Sequence, residues 1–174
     1  MDDGIDNCGV MIYQSMSGDA NKGAGTFSAT NFSLSISKKS KVYETSPMFF
    51  ITNTDAVINL DNTNLNYGSN QLVTVSGNDG EWGSQGSNGG NLTFNAANQT
   101  LSGNSAKEVN LSLDSSSKWI VTEDSYVTTL TLENNDLSLI EDHGYTIYYN
   151  ASANSWLNGQ TITLSNGGTL TPIQ

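Results

Sequence analysis

Three groups of residues in this chain have the types and spacing to do chemistry. The first surrounds Trp82, which lies in a fourteen-residue stretch, residues 77–90, with six glycines. Asp79, Glu81, Gln85 and Asn88 are its polar neighbours. An indole plane beside amides and carboxylates is the combination that recognises a sugar: the ring's C–H face stacks on an apolar plane, and the polar groups bond the hydroxyls. Trp82 has an equally open alternative as a lid over the apolar core, since tryptophan is largely buried on average. Trp156, between Asn154 and Asn158, is a second ring candidate, whereas Trp119, beside Ile120 and Val121, reads as a strand residue. The second group is acidic: Asp2, Asp3 and Asp6, with Asp19 in the next polar turn. Calcium takes six to eight oxygens from carboxylates, carbonyls and water, but a loosely grouped acidic stretch like this one is more often simply solvated. The spacing matches neither an EF-hand nor the Gly-Gly-x-Gly-x-Asp repeat of calcium-loaded β-rolls.

The third group comprises the residues an enzyme would need, and they do not assemble. A lyase of uronates uses Arg or Lys as base or charge neutraliser. This chain has no Arg, and Lys38, Lys39 and Lys41 sit together in a polar segment that reads as a solvated corner. A glycosidase needs two facing carboxylates. Asp114, Glu123, Asp124 and Glu133 are available, but no spacing pairs them. His143 stands between Asp142 and Gly144 without a nucleophile motif and reads as an exposed turn residue. The chain is therefore expected to be non-catalytic.

Charge narrows the partners. The net charge is −11, from 17 acidic residues against six Lys. Nucleic acid needs a basic groove, and an anionic membrane surface needs basic residues, so neither is an expected partner. An anionic polysaccharide would need a bridging cation such as Ca²⁺. Cys8 is the single cysteine, which excludes an intrachain disulfide and a Cys zinc cluster. No apolar run is long enough to span a membrane as a helix. The opening MDDGIDNCGV is acidic rather than basic and apolar, so it is not a secretory signal. The chain reads as a segment of a larger exported protein whose signal and anchor lie elsewhere.

The elements that must position these residues are strands. Only 36% of the chain is hydrophobic and 13% charged; Ser, Thr and Asn exceed a third of it. That polar excess alternates with Val, Ile, Leu, Phe and Tyr, as disordered tracts do not. Phe32, Leu34 and Ile36 alternate strictly, and Val57-Ile-Asn-Leu60, Leu111-Ser-Leu113 and Leu130-Thr-Leu132 repeat the step. The alternation predicts strands over 27–36, 48–60, 71–75, 91–94, 109–113, 119–122, 126–132, 145–149 and 161–164, recurring about every 20 residues. No window keeps a helical period. Asn-Gly and Asn-Asp pairs at 88–89, 135–136, 158–159 and 166–167 supply the positive φ that sharp corners require. Hairpins would use the same pairs, so an antiparallel sandwich is the rival. Short strands, variable turns and the repeated apolar-x-apolar-then-Asn/Asp step favour a β-solenoid, with residues 1–174 as one domain. Pro172, near the chain end, is placed to blunt an exposed strand edge.

Three segments carry a resemblance: IYQSMSGDA (12–20), ITNTDAVINL (51–60) and WGSQGSNGG (82–90). They resemble the carbohydrate-binding right-handed β-helix domain family of clostridial and adhesin-like bacterial surface proteins. They cover the first half of the chain; the second half is similar only in rhythm. The resemblance implies an all-β, right-handed parallel β-helix of pectate-lyase-like fold, extracellular or at the cell surface. It implies binding to a polysaccharide or cell-surface glycan, with Ca²⁺ as the one cofactor suggested. It supplies no residue-level site. The expected function is a non-catalytic polysaccharide-binding or adhesion module. The alternatives are a polysaccharide lyase, a structural surface stalk, and an ice-binding solenoid using the Thr-x-Thr pairs at 52/54, 129/131, 161/163 and 169/171.

Overall fold

The computed structural model describes residues 7–13, 24–76, 90–105 and 109–174. The described residues form an all-β architecture, with eighteen short strands in several sheets, three single 3₁₀ turns and no α-helix. The chain visits three sets of strands in fixed rotation. The first set is β1 (Val10–Tyr13), β4 (Phe49–Thr52), β7 (Gln71–Ser76) and β10 (Asn104–Ser105), hydrogen-bonded in that order. The second is a five-stranded sheet of β2 (Ala24–Thr30), β5 (Asp55–Asp61), β8 (Leu92–Ala97), β11 (Val109–Leu113) and β14 (Thr129–Leu132). The third divides into β3 (Ser33–Ser35) with β6 (Asn64–Asn66), and β9 (Thr100–Ser102) with β12 (Lys118–Ile120) and β15 (Ile140–Glu141). A last sheet holds β13 (Ser125–Val127), β16 (Thr146–Asn150), β18 (Thr169–Ile173) and β17 (Ile162–Thr163).

Among the described residues every strand pair is parallel except β17 with β18. That excludes the antiparallel sandwich. Parallel register stacks like on like, so period-2 alternation becomes rows of side chains across successive strands. In the five-stranded sheet Phe27, Ile58, Phe94, Leu111 and Leu130 form one inward row. Ala29, Leu60, Ala96, Leu113 and Leu132 form the next. From Ile58 to Leu130 and from Leu60 to Leu132 these residues are buried. Phe49 from the first set meets Phe94 edge-on at 5.6 Å and so ties two sets into one core.

Between β6 and β9 the backbone ladder is replaced by one side chain. Gln99, 3% exposed, donates through Nε2 to the Thr63 carbonyl at 2.6 Å and accepts at Oε1 from the Thr63 N–H at 2.8 Å. A primary amide carries the same donor and acceptor as a peptide, so it substitutes for a missing rung. At the far edge, Asn154 accepts from the Leu130 N–H and donates to the Thr128 carbonyl, both at 2.7 Å. The Trp156 indole N–H donates to the Leu130 carbonyl at 3.1 Å. These contacts satisfy the open side of β14, an edge that would otherwise template pairing with another chain. Pro172 lies in β18 opposite Tyr149, past the stretch that β17 covers, where a missing N–H costs least.

Several expected strands prove to be two. The span 27–36 breaks at Asn31, 48–60 at Asn53 and 126–132 at Thr128. Asn31 and Asn53 have φ of +53° and +59°, which ends a strand whatever the alternation around it. The even spacing is also corrected: Phe94 follows its partner Ile58 by 36 residues, and Leu111 follows Phe94 by 17. Asn31, Asn62 and Asn98 each follow a strand of the five-stranded sheet with positive φ. Asn62 donates to Asn31 at 2.6 Å, giving the corners their own row. Replacing Asn98 by Ala is expected to cost about 1 kcal/mol, because a Cβ without a local polar group is disfavoured at φ near +47°. Asn98→Gly should cost less, and urea titrations of the two variants check the order.

Candidate functional site

The alternation that fills the core leaves a matching outward row on the five-stranded sheet. Ser28, Asn59, Asn95, Ser112 and Thr131 occupy one register position on five successive strands. Asn59 Nδ2 donates to Ser28 Oγ at 3.0 Å, and Asn95 Nδ2 donates to Asn59 Oδ1 at 2.8 Å. An amide has two N–H donors and two carbonyl lone pairs, so each rung keeps hydrogen-bonding capacity directed outward. Thr30, Asp61, Ala97, Asp114 and Glu133 form a margin beside this row, and the two enclose an open trough of about 540 Å³. Five strands at about 4.8 Å make it roughly 19 Å long. No Lys or His lines it.

Two of the margin carboxylates are held by the fold. Asp114 accepts from Ser117 Oγ at 2.6 Å and from the backbone N–H groups of Asn98 and Ser116. The Ser117 hydroxyl first, then these backbone donors, hold its carboxyl below the usual carboxylate range despite the opposing effect of desolvation. Glu133 accepts from the Ser115 N–H at 2.6 Å. Chemically, the trough offers a straight series of neutral donors and acceptors, with negative charge along one side. That suits an extended, hydroxyl-rich ligand and repels a polyanion. Compared with known proteins, the chain matches no family model, no curated protein and no solved structure.

The sequence candidates are distributed as follows. Trp82, Asp79, Glu81, Gln85 and Asn88 lie outside the described residues, as do Asp2, Asp3, Asp6 and Asp19. The chain leaves the end of β7 toward the Trp82 segment and returns at Gly90, where any Cβ would overlap the Thr54 carbonyl. Trp156 is half-buried against the core, with its nitrogen engaged at the β14 edge. Asp114 and Glu133 come together on the trough margin. Glu123 accepts instead from Asn70 and Asn104, and Asp124 from the Thr146 N–H. His143 is an exposed corner residue with φ +49°, its Nε2 at 2.7 Å from Glu141. Lys38, Lys39 and Lys41 are exposed in a turn. Among the described residues, no cluster of three His, Cys, Asp or Glu is placed to hold a metal.

The trough row itself was not among the sequence candidates, yet its signal is visible. Its members are the middle letters of the triplets Phe27-Ser-Ala29, Ile58-Asn-Leu60, Phe94-Asn-Ala96, Leu111-Ser-Leu113 and Leu130-Thr-Leu132.

Proposed function

We propose that this chain is a right-handed parallel β-helix that binds polysaccharide without altering it, as the binding or adhesion module of an exported bacterial surface protein. Right-handed winding is the hand that parallel strand crossovers almost always take. The observation that carries the reading is the in-register row from Ser28 to Thr131. Its repeat is one strand spacing, close to the length of one β-linked sugar in an extended glycan, so each rung meets an equivalent unit. Extended ligands are favoured by such a surface because each added sugar repeats the same contacts without new ordering of the protein. The absence of basic residues from the trough directs the reading toward uncharged or amine-bearing glycans rather than uronates.

Affinity electrophoresis in gels containing neutral or acidic polysaccharides tests it. Retardation is expected in a neutral glycan gel, and Asn95→Ala combined with Ser112→Ala should weaken it about tenfold or more through lost hydrogen bonds. Both positions are outward, so the variant should melt close to the parent. Unretarded migration in every gel rejects the reading. Release of ultraviolet-absorbing unsaturated products from polygalacturonate would replace it with a lyase.

A further inference from the structure

A second surface, on the last sheet, has different chemistry. Tyr126 of β13 and Tyr148 of β16 occupy the same register position. Their neighbours Ser125, Val127, Ile147 and Tyr149 are buried, which points both tyrosines outward. Their rings stack with centroids 4.9 Å apart and planes 19° from parallel. On the next strand, β18, the same position is Thr171. Among the described residues the stack therefore stops after two rings, and the face of Tyr148 toward β18 has no ring partner there. Hydroxyls gather beside that place: Thr169 Oγ1 lies 3.0 Å from Thr171 Oγ1 and 3.3 Å from Thr146 Oγ1. β17 pairs with β18 only opposite Thr169 and Leu170, so it stops short of Thr171.

We infer that this third position is a sugar-stacking site. A pyranose ring takes the place of the missing aromatic ring, with its C–H face on Tyr148 and its rim hydroxyls bonded to Thr169 and Thr171. Aromatic pairs prefer offset stacking with centroids at about 4.5–7 Å, the spacing that successive strands impose here. A purely aromatic ligand would use the ring and leave the hydroxyls idle; a sugar uses both. The inference shares its ligand class with the polysaccharide reading and none of its residues, since the trough lies on another sheet.

The test follows the Tyr148 ring resonances by NMR in the full chain during titration with hexamers of β-1,4-linked glucose, xylose or N-acetylglucosamine. At least one hexamer should shift them. Thr171→Tyr fills the third position and should weaken that response about tenfold or more, about 1.4 kcal/mol, without lowering the melting temperature. Tyr148→Leu, read by calorimetry, should weaken binding similarly. Asn95→Ala should leave the Tyr148 response unchanged. No shift with any hexamer, or an undiminished shift in Thr171→Tyr, overturns the inference. Binding that Asn95→Ala alone abolishes also overturns it while leaving the trough reading intact.

Discussion

Phe94→Ala is expected to destabilise the protein by about 3–5 kcal/mol, the usual range for removing a buried phenyl ring. Phe94 is fully buried at the centre of the inward row, with Ile58 on one side and Leu111 on the other. It also meets Phe49 edge-on at 85°, and Phe49 in turn packs on Phe27 at 6.0 Å. Deleting the ring leaves a cavity that rigid strands on both sides cannot collapse to fill. In a stacked repeat, stability is close to a sum of nearest-neighbour interfaces, so damage in a middle rung weakens the coupling of the two halves. Phe27, half-buried in the first strand of the sheet, should cost clearly less when truncated. Urea unfolding followed by tryptophan fluorescence measures both. Equal costs for the two positions would show that this row is not the spine of the core.

The second large effect is acid sensitivity at Asp142. Its side chain is buried and accepts from three backbone N–H groups: Gly144 at 2.9 Å, Gly168 at 2.7 Å and Asn166 at 2.9 Å. Those donors close the segment that brings β18 against β16. Burial alone would raise the carboxyl's pKa, but the N–H groups of Asn166, Gly144 and Gly168 together outweigh it and hold it below the ordinary value. A depressed folded-state pKa gives stability that is fully present above the unfolded value, about 3.9, and is lost as pH falls through the folded one. Asp142→Asn turns one oxygen into an N–H₂ facing a backbone donor, so it should cost about 2–3 kcal/mol at neutral pH. The gap between parent and variant should narrow as pH drops below about 4. Melting temperatures from pH 7 to 3 decide the point; a constant gap would exclude the carboxylate clasp. Asp114, also depressed, should contribute acid sensitivity of the same sign.

Much of the strand pattern is legible in the residues alone. Alternation located Val109–Leu113 with its boundaries and Gln71–Ser76 to within one residue. It missed β1, β6, β9, β10, β15 and β18; β6 and β9, Asn-Leu-Asn and Thr-Leu-Ser, hold one apolar residue each, too few to show a period. It fused strands across Asn31 and Asn53, because the apolar rhythm continues through a corner that only backbone conformation reveals. For the site, aromatic rings stand out in the sequence, while the trough is built from Ser, Asn and Thr that look like ordinary strand filler one at a time. Tyr126 and Tyr148 look like plain strand residues for the same reason: their stacking is a property of two strands.

The residues alone were enough for an all-β chain with Asn corners, a net charge of −11, and an inward-outward choice for most strand residues. Those properties are local, since side-chain period and permitted φ depend on neighbours within a few residues. Tertiary structure alone decided that the strands pair in parallel and which rung meets which. Among the described parallel pairs the separation ranges from 17 residues for Phe94 and Leu111 to 39 for Val10 and Phe49, because the connecting segments differ in length. No alternation encodes that offset. Once it is set, the middle letters of five separate triplets become one row, and a threonine in place of a tyrosine becomes an open place in a stack.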